Sequence, residues 1–145
     1  MPASPPALPP PDTDVVLYDG ECAFCRARME QLRWFDRPLL GLRGHRLAYL
    51  SLHAVEVATL YPQVPHQRLL EEMVVVDPQG RIHGGADAVR HLSRRLPRLW
   101  WLAPILHLPG SKGVWRALYR CLARNRYRLG GRVADCHEGV CAIRR

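Results

Sequence analysis

Lysine is nearly missing from this chain. Lys112 is the only one, so the formal net charge of +8 rests almost wholly on arginine. Such a charge admits anionic partners of several kinds without selecting among them. No nucleic-acid-binding motif accompanies it, and aromatics are not interleaved with the arginines densely enough to stack bases. No specific nucleic-acid partner is expected, only weak, salt-sensitive polyanion binding. Also missing is any apolar run of about 18 residues, so no transmembrane helix is expected. No basic start followed by a sustained apolar stretch opens the chain, so no secretory signal peptide is read, and the expected location is cytoplasmic. This bears on the five cysteines. Without a secretory signal they are expected to be reduced, catalytic or metal-binding, not a disulfide framework. There is no internal repeat. His45, His53, His66, His83, His91 and His107 show no ligand spacing.

The stretch Val15–Cys25, VVLYDGECAFC, concentrates the chemistry. Val15-Val16-Leu17-Tyr18 has strand composition, and Asp19-Gly20 breaks it with turn residues. Beyond it, Cys25, Met29, Leu32 and Phe35 recur at helical steps. The Cys-x-x-Cys therefore sits where a strand passes into a helix, with Cys22 at the helix N-terminus. Unpaired N–H groups and the positive dipole end there favour a thiolate. Two intervening residues let Cys25 reach Cys22, so a mixed disulfide on Cys22 can be resolved by Cys25. The same cysteines could instead form half of a zinc site, completed by Cys136 and Cys141 with His137 as a spare ligand. Cys136 and Cys141 could also form a second, relaying dithiol.

Around this stretch the pattern predicts a Pro-rich disordered leader over 1–13 and a first helix from Cys22 to Asp36. A second strand follows over His45–Leu50, then a helix over Leu52–Leu60 capped by Ser51. A strand over Glu72–Val76, a tight turn at Asp77-Pro78-Gln79-Gly80 and an antiparallel partner at Arg81–His83 come next. A helix from Ala86 to Leu96 completes the unit. The segment Pro97–Gly110, with Trp100 and Trp101, is expected to pack over the core or to touch a membrane surface weakly. The last helix, Val114–Leu129, is expected to bury Val114, Leu118, Cys121, Leu122 and Leu129 and to expose Arg116, Arg120, Arg124, Arg126 and Arg128.

Asp19-x-x-Cys22-x-x-Cys25 after an apolar strand resembles the signature of the DCC family, named for its Asp-Cys-Cys motif. Met73–Asp77, Gly84–Val89 and Ala123–Gly130 are similar in the same order, so the resemblance covers roughly Val15 to Gly130. Members are thiol–disulfide oxidoreductases of thioredoxin-like fold. The resemblance thus implies an α/β domain with a mixed four-stranded sheet, flanking helices and a helical C-terminal extension. The element order read above agrees. One departure stands out. Thioredoxins carry a cis-proline just before the third strand, where it positions a substrate backbone, and Leu69-Leu70-Glu71-Glu72-Met73 has no proline.

The expected units are a leader (1–13), a thioredoxin-like domain (14–96), a helical extension packed on it (97–130) and a flexible Cys-containing tail (131–145). The expected activity is dithiol–disulfide exchange, with no bound cofactor. Cys22 is the expected nucleophile and the more exposed thiol, and Cys25 the resolving thiol. Asp19 is expected either to cap the helix or to take the Cys25 proton. Phe24, Gly84 and Gly85 are expected to contact substrate. Partners would be a disulfide-containing protein or small thiol and an external dithiol reductant. The alternative is a non-enzymatic module using the cysteines for zinc and the arginine-rich helix for an anion.

Overall fold

Val15, Val16 and Leu17 are buried on both sides of the strand they form, as a continuous apolar run demands when each sheet face is covered. A computed structural model describes residues 9–42 and 46–130, with the backbone of 136–137 and 140–141. Its elements are β1 (Asp14–Tyr18), α1 (Ala23–Phe35), β2 (Leu47–Ser51), α2 (Val55–Leu60), α3 (His66–Glu71), β3 (Val74–Val76) and β4 (Ile82–Gly84). They continue with α4 (Gly85–Arg95), a 3-10 turn (Pro97–Leu99), α5 (Ala103–Leu106), α6 (Lys112–Gly130) and a hairpin of β5 (Cys136–His137) and β6 (Val140–Cys141).

The main sheet has the order β2-β1-β3-β4. β1 runs parallel to β2 and antiparallel to β3, and β3 is antiparallel to β4. Side-chain alternation splits the core into two layers. Val15, Leu17, Val74 and Val76 pack towards Val57 of α2 and Leu69 of α3. Val16 and Val75 pack towards Met29 and Leu32 of α1 and Ala88 and Leu92 of α4. This is a thioredoxin-like α/β arrangement, with β1 central and α1 leaving its C-terminal end. No helix described is long and apolar enough to cross a membrane.

Several boundaries move. Ser51 ends β2 opposite Tyr18 and accepts the His53 N–H at 3.3 Å, so it is not the cap of α2, which starts after Ala54. Ser51 also crowds the turn after β1. A Cβ on Gly20 would lie 2.5 Å from Ser51 Oγ, so the close approach requires glycine. α3 (His66–Glu71) is unexpected: it fills the stretch between the expected second helix and the strand from Glu72, and its polar sequence HQRLLE buries only Leu69. The tight turn holds, with Gly80 N–H on Asp77 C=O at 2.9 Å.

The larger correction concerns α6. Val114, Leu118, Leu122 and Leu129 are exposed, as is Cys121. The helix packs on α4 and α1 with Trp115, Tyr119, Ala123 and the buried Arg126 turned inward. The reason is polar. Tyr119 Oη accepts the Met73 N–H at 2.9 Å, and Arg126 donates to Leu70 C=O. The surface that receives α6 offers backbone groups and a carboxylate, and leucines could not satisfy them. The expected leader falls largely on residues 1–8, and the expected start of the second strand falls on His45, both outside the described residues. The side chains of the tail residues Cys136, His137 and Cys141 also lie outside them.

Candidate active site

The Asp19–Glu21 turn carries the chain from β1 into α1. Cys22, with extended backbone at φ −89° and ψ 111°, is the N-cap residue of α1, and its Sγ accepts the Cys25 N–H at 3.2 Å. The N-cap role usually filled by Ser, Thr, Asp or Asn is filled here by sulfur. That geometry corrects the expected exposure. Cys22 is fully buried, because its sulfur turns back under the first helical turn, whereas Cys25 is half-buried.

The two thiols are pushed apart in acidity. A hydrogen bond from the Cys25 thiol lowers the Cys22 pKa most. Burial opposes this, the Cys25 N–H and the Arg126 charge reinforce it, and the net value is about 7. Cys25 moves strongly upward, because its proton is held by Cys22 and because burial and the neighbouring negative charge oppose its ionisation. At neutral pH the pair can therefore hold one proton, on Cys25, with the charge on Cys22.

Asp19 is buried beside this pair. Its Oδ1 accepts the Glu21 N–H at 3.0 Å and lies 3.3 Å from His53 Nε2. Its Oδ2 accepts the Tyr127 O–H and lies 3.6 Å from the Arg126 guanidinium. Burial pushes the carboxyl up, but bonds from Tyr127, Glu21 and His53, with the Arg126 charge, hold it below its ordinary value. The carboxylate thus ties the Asp19–Glu21 turn to α6. It does not cap the helix, since Cys22 does that; the Cys22 N–H bonds the Asp19 backbone carbonyl at 3.3 Å.

Arg126 and Tyr127 are the site residues that the arginine count hides. The cue is a tyrosine directly after an arginine, at positions seven and eight beyond Tyr119. The far end of α6 closes on the site as well. A Cβ on Gly130 would lie 2.5 Å from the Phe24 backbone nitrogen.

Phe24 lines a cavity together with Cys25. Gly84 and Gly85 do not line it. Their near neighbours are this chain's own side chains: a Cβ on Gly84 would meet the ends of Glu72 at 2.3 Å and Arg68 at 2.4 Å, and Gly85, whose φ of +54° favours glycine, faces Glu72 and Tyr119. Elsewhere, Asp77, His83 and His91 come together with ligand-capable atoms within 4.8 Å of one another, the group among the described residues that could hold a metal. Asp77 already pairs with Arg81 at 2.7 Å, and His91 bonds Asp14 at 2.7 Å. Asp14 and Asp19 flank β1 at opposite ends, so this cluster is separate from the cysteines.

No curated protein and no solved structure matched the chain in comparison. A family profile does match, over residues 16–132. The matched span takes in the last three residues of β1, both cysteines of the Cys-x-x-Cys and all of α6, and with it the chain belongs to the DCC1-like thiol-disulfide oxidoreductase family.

Proposed function

We propose that the chain carries out dithiol–disulfide exchange, with Cys22 as nucleophile and Cys25 as resolving thiol. One observation supports this most. The Cys22 sulfur sits in the N-cap of α1, bonded by the Cys25 N–H at 3.2 Å, with its pKa lowered to about 7. Thiolate is the attacking form, and a pKa near ambient pH balances thiolate fraction against intrinsic nucleophilicity. A disulfide approaches from the cavity wall that Cys25 lines, and the Cys22 side chain turns out of the cap about χ1 to meet it. Attack gives a mixed disulfide on Cys22 and frees its partner thiolate, which takes the Cys25 proton. Cys25 then attacks Cys22 Sγ, closes the Cys22–Cys25 bond and releases the second substrate thiolate. An external dithiol reductant restores the protein.

In this reading Asp19 is a positioning residue. With a lowered pKa and a full set of partners it is a poor proton acceptor. The helical extension belongs to the redox unit, because α6 supplies Arg126 and Tyr127.

The experiment is a trap. In Cys25→Ser the hydroxyl keeps a donor towards Cys22 but cannot resolve, so mixed disulfides on Cys22 should accumulate and survive denaturing, non-reducing electrophoresis. Mass mapping of the adducts to Cys22 is the expected outcome. Adducts confined to Cys121 would overturn the assignment.

A further inference from the structure

An apolar cavity of about 290 Å³ lies between α1, α4 and α6, with Cys25 in its wall. Its volume is near the bottom of the roughly 300–1,000 Å³ range of small-molecule sites. Met29, Leu32, Leu92 and Leu122 make most of it apolar, and its charged groups are Asp19, Arg28 and Arg126. Asp19 and Arg126 face each other at 3.6 Å. Arg28 is exposed at the rim, stacked on the Phe24 ring at 5.2 Å, and has no carboxylate partner among the described residues. Arg28 is therefore the charged side chain of the lining that lacks an oppositely charged partner among the described residues.

The Met73 backbone, beside the sulfurs, offers no open group to a polypeptide. An extended peptide docks by pairing with open N–H and C=O groups. Met73, which shares the cavity with Cys25, has both groups in use: its N–H bonds Tyr119 Oη at 2.9 Å, and its C=O accepts the Gly85 N–H at 3.0 Å. No cis peptide bond occurs among the described residues.

We propose that this cavity is the substrate site and that it takes a low-molecular-weight disulfide with an apolar body and a carboxylate, typified by a 1,2-dithiolane on an alkyl acid. The proposal rests on the exchange reading above. The ring lies at Cys25 and the chain runs along the apolar wall, with the carboxylate at Arg28. The Cys22 thiolate attacks one ring sulfur, the ring S–S bond breaks, and the freed ring sulfur takes the Cys25 proton. Cys25 attacks Cys22 Sγ, the Cys22–ligand bond breaks, and the second ligand sulfur takes a proton from water. Two electrons pass from the protein dithiol to the ligand, which leaves as a dithiol; the reverse follows the same steps.

A stabilised Cys22 thiolate favours the reduced protein, so the exchange is best followed from oxidised full-length chain plus dithiol. Three probes are compared: dihydrolipoate, its uncharged amide, and dithiothreitol as a polar control. Dihydrolipoate should reduce the Cys22–Cys25 bond at least about tenfold faster than dithiothreitol at equal thiolate concentration. Arg28→Gln should slow dihydrolipoate by about threefold and leave the amide unchanged, the size expected of one exposed ion pair. Ala123→Phe, which fills the cavity, should remove the advantage of both alkyl dithiols and spare dithiothreitol. Arg28→Gln alters an exposed side chain, so it remains informative if Ala123→Phe fails to fold. If dithiothreitol reduces the protein, dihydrolipoate is no faster and Arg28→Gln is silent, the cavity proposal falls and the exchange reading stands. If no dithiol reduces a Cys22–Cys25 bond, the exchange reading itself falls.

Discussion

Cys22→Ser is expected to abolish disulfide exchange, by at least about a thousandfold, because a serine hydroxyl is not ionised near neutrality and cannot form the mixed disulfide. The contrast with Cys25→Ser carries the information. Cys25→Ser should lose turnover by stalling after the first step, whereas Cys22→Ser should never take it. Cys25 is not expected to take over the attack: in Cys22→Ser the sulfur that holds its proton is absent, but burial still opposes its charge, and it lies inside the first turn of α1, not at the cap. The measurement is single-turnover release of a chromogenic thiol from a small disulfide. One equivalent is expected from Cys25→Ser and none from Cys22→Ser. Normal turnover by Cys22→Ser would reverse the two roles.

Arg126→Met should produce the largest loss of stability among changes at the site. The residue is 7% exposed, and its guanidinium serves Leu70 C=O, the Tyr127 hydroxyl at 3.2 Å and the Asp19 carboxylate at 3.6 Å. Methionine fills part of the volume but leaves the Leu70 C=O without its donor and removes the cation beside the buried Asp19 carboxylate, at a cost of about 3 kcal/mol. For a domain of this size the melting temperature should fall by roughly 10 °C. A second effect separates chemistry from folding. The Arg126 cation lowers the pKa of both thiols, so its removal should raise the Cys22 pKa and slow alkylation at neutral pH in protein that is still folded. An unchanged melting temperature together with an unchanged alkylation profile would show that α6 does not hold the site.

The sulfur chemistry is written in local sequence. An apolar run, a turn pair and a helical stripe around Cys22 and Cys25 suffice to place the cysteines at the start of α1. The Asp77–Gly80 turn is equally local. What stays hidden depends on partners far along the chain. The leucines of α6 repeat at helical spacing and read as a buried face, yet Leu118 and Leu129 are exposed and Leu122, half exposed, only lines the cavity. The side of the helix that packs is chosen by the Met73 N–H, the Leu70 carbonyl and Asp19, all of which need donors or acceptors. Those partners precede Tyr119, Arg126 and Tyr127 by 46, 56 and 108 positions, beyond the reach of any periodicity. The burial of Cys22 is hidden for a related reason. Spacing puts a cysteine at a helix tip but does not show that its sulfur folds under the tip to become the cap.

The most direct measurement is the rate of alkylation of the reduced chain by iodoacetamide across pH, with each cysteine mapped by mass. Cys22 should react with a midpoint of about 7, a value that belongs to the coupled pair. Restricted access slows the rate at every pH, the upward effect of burial is already contained in that midpoint, and Cys25, although less buried, should stay protected over the same range. Modification of Cys25 before Cys22, or a Cys22 midpoint at the ordinary thiol value of about 8.5, would contradict a thiolate held in the cap of α1.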